Sequence, residues 1–548
     1  MNKSGILILS LISLSVSLPG QDRKFTHQDT LRGSITPERA WWDLKYYHLD
    51  IAVNPADSTL KGQNTIRYEV TGSYQVMQID LQEPMQIIQV YQDRKPVQFN
   101  RDGNAWFVQL IKAQKPGEIN EITVQYEGKP KISRNPPWSG GLSWKRDKNG
   151  SPWIVTTCQG DGASIWWPCK DHQVDEPDSM LISVTVPENL TDVSNGRLRS
   201  EVQHANGTKT FNWFVSNPIN NYGVNLNIAD YAHFSEKYQG EKGQLDCEYY
   251  VLKDNLDKAR IYFQEVKRML DALEHWFGPY PFYEDSYKLV EVPYPGMEHQ
   301  SSVTYGNGYK FGYGGRDESR TGWGLKFDFI IEHESSHEWF GNSITSNDIA
   351  DMWIHESFGA YSESLFVDYH YGQQAGSEYC IGTRKNIGNR SPIIGPYNVN
   401  REGSGDMYSK GANMIHTLRQ LVNDDERFRS ILRGLSATYY HQTVTSEQVE
   451  EYLAKAAGMD LGLFFDQYLR STKIPVFEYS LDNKILKFRW NNCVSGFKMP
   501  LKIRINGIEK WIEPVTVWKE IEAGENSVIV PDPNFYISYS DRKKDPAK

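Results

Sequence analysis

From about residue 41 to residue 232 the apolar positions recur every second residue. Tyr47, Leu49, Ile51 and Val53 alternate with polar neighbours, Ile122, Val124 and Tyr126 do the same, and Leu226 and Ile228 continue the habit. Asn54-Pro55 and Lys115-Pro116-Gly117 punctuate these runs. Period-two alternation broken by such turns predicts short antiparallel strands and a β-rich domain. The period changes near Asp254. Ala259, Tyr262, Val266, Met269, Leu273 and Phe277 fall at three-to-four spacing, which predicts one amphipathic helix from Asp254 to Phe277, stopped by Gly278-Pro279. Helical patterns dominate to about residue 473, and one late helix opens on Thr445 with Gln448 three residues on, a capping-box arrangement. After Ile474-Pro475 the alternation returns at Leu486, Phe488 and Trp490, then at Leu501, Ile503 and Ile505, which predicts a small closing β-domain.

Length and composition set bounds on this picture. A chain of 548 residues is too long for one core and is expected to divide into three or four domains. Hydrophobic residues at 39% and charged residues at 23% are an ordinary globular balance. The 16 Trp and 32 Tyr fill β-domain cores or wall aromatic clefts. A net charge of −10 with no Lys/Arg-rich run excludes nucleic acid as the expected partner. Residues 1–20 stand apart: Lys3, the apolar stretch from Gly5 to Val16, then Ser17-Leu18-Pro19-Gly20. This is signal-peptide anatomy, too short for a membrane span, so the chain is expected to be exported to the periplasm or secreted. No second long apolar run follows, and no stable membrane insertion of the mature chain is expected. The five cysteines, Cys158, Cys169, Cys247, Cys380 and Cys493, include no C-x-x-C pair. Export permits disulfides, with Cys158 and Cys169 one candidate pair.

The chemistry lies in the helical middle, in Ile331-Glu332-His333-Glu334-Ser335-Ser336-His337-Glu338-Trp339-Phe340-Gly341-Asn342. Positions i and i+4 share a helix face, so His333 and His337 can point at one metal ion. Glu334 lies roughly 100° around from His333, placed to reach a water beside the metal without binding the metal itself. A catalytic zinc takes three protein ligands, and Glu356, nineteen residues after His337, suits a second helix packed on the first. With 13 His and 69 acidic residues, on the order of 0.04 chance occurrences of this His-Glu-x-x-His shape are expected, so two unrelated surface histidines are a poor account of it.

These residues, together with Trp339-Phe340-Gly341-Asn342, resemble the gluzincin zinc aminopeptidase family, which includes aminopeptidase N and leukotriene-epoxide hydrolase. Gly296-Met297-Glu298-His299-Gln300 resembles that family's G-x-M-E-N signature, and Tyr408-Ser409-Lys410-Gly411 its Y-x-K-G segment. Gln159, followed by Pro168-Cys169 and Asp175-Glu176-Pro177, resembles the stretch where the β-domain meets the active site. The resemblance implies a multidomain α+β fold: an N-terminal β-saddle at 21–232, a thermolysin-like catalytic domain at 233–473 and a small C-terminal β-sandwich at 474–548. It implies one Zn2+ held by His333, His337 and Glu356, with Glu334 as general base and Tyr408 donating to the oxyanion. Glu298, with Gly296, Met297 and Gln159, is implied to hold a peptide substrate's free N-terminus.

The chain also departs from the family pattern. His299 stands where Asn is usual, and His355-Glu356-Ser357 replaces Asn-Glu-Gly. About 75 residues follow Lys473, where many relatives carry a long helical domain that encloses the site, so a more open site is expected here. Three functional readings follow. An aminopeptidase leads. A thermolysin-type endopeptidase shares the zinc helix but needs no amine anchor, and a retired peptide-binding protein would be expected to lose a ligand, Glu334 or Tyr408. An epoxide hydrolase belongs to the family, but nothing in this chain points to one.

Overall fold

The computed structural model describes residues 24–543. The segment read as a signal peptide lies outside the described residues. The alternation of the first half becomes a ten-stranded sheet around the strand Trp42–Asn54. That strand pairs antiparallel with Thr59–Val70 on one side and parallel with Ser179–Pro187 on the other. Tyr47, Leu49, Ile51 and Val53 all face the core, as the period predicts. A smaller sheet, Thr191–Val193, Asn227–Ala229, Pro152–Thr157 and Gly141–Arg146, ends at Thr157, two residues before Gln159. Its turn therefore delivers Gln159 to the next layer.

At Tyr231 the chain enters a five-stranded mixed sheet ordered Tyr231–Gly240, Gly243–Leu252, Tyr287–Glu291, Val303–Tyr305 and Gly296–Met297. Helices then pack together up to Leu469. Beyond Val476 stand a four-stranded and a three-stranded sheet. The multidomain α+β architecture is thus the one observed. The N-terminal apolar core runs on to include Val290, Val292, Tyr294 and Met297, while the helices share a second core with the C-terminal strands. The two cores meet at the Gly296–Met297 edge strand.

One expected element differs. The single helix from Asp254 to Phe277 is two helices, Leu256–Tyr262 and Glu265–Phe277. Between them Phe263 bends the chain and buries its ring against Tyr249, Tyr305 and Tyr309. The apolar spacing is satisfied on both sides of the bend, so periodicity alone does not reveal it. Gly278 ends the second helix with φ +95°, donating to the Glu274 carbonyl. The Thr445–Gln448 capping box is present. All five cysteines are free thiols, including Cys158 and Cys169.

Candidate metal centre and active-site cavity

His333 sits near the end of the eight-residue helix Phe329–Ser336, opened by Asp328, whose carboxylate accepts from the N–H groups of Ile330 and Ile331. The helix stops one residue short of His337. That residue keeps helical dihedrals (φ −66°, ψ −15°), so the i, i+4 relation survives the end of the ladder. Glu356 lies in the first turn of the nineteen-residue helix Trp353–Tyr371 packed alongside. His333 Nε2 and His337 Nε2 are 3.4 Å apart, and they lie 3.7 and 3.5 Å from Glu356 Oε2. Three tetrahedral donors at about 2.0–2.1 Å from a zinc ion stand about 3.3–3.4 Å from one another. The residues present therefore fit the ion.

Each ligand has its other polar atom tied down. His333 Nδ1–H donates to Glu363 Oε1 (2.8 Å), whose other oxygen accepts from Tyr379 (2.6 Å). His337 Nδ1–H donates to the Phe340 carbonyl (2.9 Å). Glu356 Oε1 accepts from Gln159 Nε2 (3.0 Å), while the buried Oε2 has no hydrogen-bond partner among the described residues. Two imidazole lone pairs and a carboxylate oxygen thus converge with no donor between them, an arrangement that calls for a cation. Burial opposes the charge of Glu356, while positive charge on the neighbouring imidazoles, when they are protonated, holds its carboxyl well below the usual range.

The other predicted residues gather round this point. Gly296 lies against Glu334: a Cβ there would fall 2.9 Å from both Cγ and Oε1 of Glu334 and 2.6 Å from the Ile330 side chain. Only glycine lets the edge strand come so close. Burial raises the Glu334 carboxyl above the usual carboxylate range, with His333 opposing and Glu298 adding to the shift. Met297 is buried beside it in the edge strand. Glu298 accepts from Gln159 Nε2 at 2.7 Å, so one amide touches both this carboxylate and a metal ligand. Tyr408 precedes the helix Ser409–Val422, and its ring lies over His333 at 5.9 Å between centroids. Gln159, Gly296, Met297, Glu298, His333, Glu334, His337, Glu356 and Tyr408 all line one cavity of about 360 Å³.

The departures also find roles. His355 is buried and accepts at Nε2 from the Ser346 N–H (2.9 Å), which leaves the proton on Nδ1, facing the Tyr222 hydroxyl at 3.4 Å. Burial drops its pKa to about 3, so it is neutral. Burial, with the nearby Glu298 and Glu356 carboxylates, raises the Tyr222 hydroxyl well above its usual range. Ser357 donates to the Met407 carbonyl (2.7 Å), one residue before Tyr408, and a Cβ on Gly411 would collide with its hydroxyl at 1.9 Å. The glycine of the Y-x-K-G segment is thus the mate of this serine. Lys410 points away, to the Ser471 carbonyl. His299 is buried and neutral, with Nδ1 3.4 Å from Thr304 Oγ1 and Nε2 unpartnered.

The sequence reading missed Glu363 and the task of the Trp-Phe-Gly-Asn run. Glu363 lies seven residues after Glu356, two turns along the same helix face, a spacing that could have flagged it. In the run, the Phe340 carbonyl orients His337, and Asn342 Nδ2 holds the Glu298 carbonyl oxygen (2.8 Å).

Comparison with known families agrees with this geometry. Residues 262–468 match the peptidase family M1 domain, and residues 44–222 match the peptidase M1 N-terminal domain. Together these matches span well over half of the chain, which therefore belongs to peptidase family M1. Probable aminopeptidase 2 of Sulfurisphaera tokodaii is 22% identical over 80% of this chain and 57% of its own length. Leukotriene A-4 hydrolase of Xenopus laevis is 23% identical over 58% of this chain and 52% of its own. The chain spans from about a third to just over half the length of the curated relatives it matches. An M1 zinc metallopeptidase mutant of Deinococcus radiodurans, solved with a Tyr-Ser-Ala substrate, superposes with a TM-score of 0.69 at 20% identity, covering 81% of this chain and 98% of that one. A related two-domain structure bound to L-arginine gives 0.65 at 21% identity, over 78% and 92%.

Proposed function

We propose that this chain is a zinc aminopeptidase that removes the first residue of peptides bearing a free N-terminus. One observation carries the reading: Gln159 Nε2 reaches both Glu298 and the metal ligand Glu356. A carboxylate suited to an ammonium group thus stands one side chain away from the metal cluster. A substrate held there by its terminal amine would bring its first carbonyl to the cluster.

His333, His337 and Glu356 would hold a zinc ion, which would supply Lewis acidity toward a carbonyl and toward water. Glu334 takes the proton of the attacking water, whose hydroxyl adds to the peptide carbon. Tyr408 donates a hydrogen bond to the oxygen on which negative charge develops. The C–N bond then breaks as Glu334 passes its proton to the leaving nitrogen. Glu298 fixes the ammonium with a charge-assisted hydrogen bond worth about 1.5–3 kcal/mol. Relatives solved with a peptide or an amino acid bound support this substrate class.

The test is a set of aminoacyl fluorogenic amides and matched N-acetylated partners, with and without chelator. Free amides should be cleaved at least tenfold faster than acetylated ones, each factor of ten being about 1.4 kcal/mol, and chelation should abolish both. Equal rates on free and blocked substrates would replace this reading with the endopeptidase one.

Export remains part of the proposal. It rests on Lys3, the apolar run to Val16 and the break at Ser17-Leu18-Pro19. Among the described residues no helix is long and apolar enough to cross a membrane. N-terminal sequencing of the protein from its native host, with fractionation, checks this; an intact Met1 on cytoplasmic protein would end it.

A further inference from the structure

The cavity holds one carboxylate for which the reaction above has no use. Glu298 is held by Gln159, Glu363 by His333 and Tyr379, Glu356 belongs to the metal cluster, and Glu334 is the base. Glu318 lines the same cavity with Tyr313, Thr383 and Asn386. Its one hydrogen bond runs through its backbone carbonyl, which accepts from Asn386 Nδ2 at 3.2 Å. Among the described residues its carboxylate has neither a hydrogen-bond donor nor an ion-pair partner.

The position of Glu318 relative to the reacting atoms follows from the ring contacts. Phe329 stacks on His333 (5.2 Å, 11°), and Tyr313 packs edge-on against Phe329 (5.2 Å). This wall therefore lies beyond His333, whereas Gln159 and Glu298 approach the cluster past Glu356. For a peptide with its amine at Glu298 and its first carbonyl at the cluster, this wall stands on the far side, where the following residues can meet Tyr313 and Glu318.

The loop is built to hold the carboxylate there. Gly314 and Gly315 turn the chain at φ +60° and +93°. The Asp317 carboxylate accepts from the Ser319 N–H (3.0 Å), the Ser319 hydroxyl (2.7 Å) and the Gly322 N–H (2.5 Å). Ser319 is buried against Gly382, where a Cβ would fall 2.3 Å from its carbonyl oxygen. The backbone of Glu318 is thus clamped between two fixed residues, which keeps its unpaired carboxylate at the cavity wall. No Lys or Arg is among the described residues that line the cavity, and the nearby Arg316 is turned over the Tyr313 ring.

From this we propose that Glu318 is a specificity-determining residue that selects peptides with Lys or Arg in the first two positions after the scissile bond. The inference rests on the aminopeptidase reading, because that reading fixes which way the peptide runs.

The test uses the full, zinc-loaded protein and peptides that are identical except for Lys, Gln or Glu at the second or third residue. A leucyl amide with nothing at those positions serves as control. The expected order of kcat/KM is Lys above Gln above Glu, with about threefold per step, the scale of a part-exposed ion pair, carried mainly by KM. Glu318→Gln should flatten the order and Glu318→Lys should reverse it, which a merely structural residue would not do. The Lys preference of the unmodified enzyme should also shrink at high ionic strength, a check that needs no variant to fold. A flat order in the unmodified enzyme, a salt-independent preference, or a Lys preference that persists in Glu318→Lys would overturn the proposal while leucyl-amide cleavage keeps the aminopeptidase reading intact. Failure to cleave the amide or any free-amine peptide, with zinc bound, would instead overturn the reading beneath it.

Discussion

The two ends of the cavity are built differently. At the metal end, His333, His337 and Glu356 stand on two packed helices or at their ends, and each has one polar atom tied by the protein while the other converges on a shared point. At the end proposed to hold the substrate amine, Glu298 follows a two-residue edge strand and Gln159 sits in a turn beyond a different sheet. Its geometry is set by contacts between layers: Asn342 to the Glu298 carbonyl, Asn220 to the Gly341 carbonyl, and Tyr222 beside His355. Chemistry common to metallohydrolases is thus held by local helical geometry. The proposed amine end is held by long-range packing, and the two ends should break in different ways.

Removing a ligand tests the metal end most severely. His333→Ala, His337→Ala or Glu356→Ala leaves two donors where a catalytic site needs three, and zinc and activity should be lost together. Full zinc occupancy, by elemental analysis of a folded His337→Ala protein, would show that the ligand set is wrong. Next in size is Glu334→Gln, which keeps the helix and all three ligands but removes the base. Zinc content and substrate affinity should stay while turnover falls about a hundredfold or more. Tyr408→Phe should also act mainly on kcat, since its hydrogen bond is to charge that develops in the transition state. Near-normal turnover in Glu334→Gln would remove it from the role of base.

The same contrast explains what could be read from the chain. His333 and His337 are legible because a helix converts a spacing of four into a shared face, and Glu363 was legible in principle seven residues beyond Glu356. Glu356 was a candidate from its spacing, but only the family resemblance singled it out, because a gap of nineteen residues does not say how two helices pack. Gln159 and Glu298, 139 residues apart, meet only when two sheets are assembled, and no periodicity encodes that. Strand alternation at Tyr47 to Val53 was fully readable, since one face is core and the other is not. The break at Phe263 was not, because an aromatic cluster drawn from two other segments bends the chain there.

A smaller effect is expected at the amine end. Glu298→Ala should leave zinc in place and narrow the gap between free and N-acetylated substrates, since the group that tells them apart is gone. The loss in kcat/KM on free-amine substrates should be about tenfold to a hundredfold, the range of one charge-assisted hydrogen bond. Zinc content and kcat/KM for a matched pair on both proteins give the answer. An undiminished gap in Glu298→Ala would place the amine-binding group elsewhere.

The smallest expected effect falls on Gln159, the one side chain that touches both ends. Its amide bonds Glu298 at 2.7 Å and Glu356 at 3.0 Å, so Gln159→Ala withdraws one donor from each carboxylate. Both residues line the cavity, and water can take over much of what the amide did, so the loss should be about tenfold or less in kcat/KM. Zinc should stay bound at saturating metal, because all three ligands remain, while its affinity should weaken as expected when a bond that orients a ligand is lost. The direction of the effect separates the two ends. If Gln159 mainly sets the angle of Glu298, its removal should cost free-amine substrates more than acetylated ones, and the double variant Gln159→Ala/Glu298→Ala should be little worse than Glu298→Ala alone. If it mainly steadies Glu356, free and blocked substrates should suffer alike, and the losses should add. The cycle is read in kcat/KM at fixed free zinc. Additive losses, equal for free and blocked substrates, would show that Gln159 serves only the metal end and that the two regions are not coupled through it.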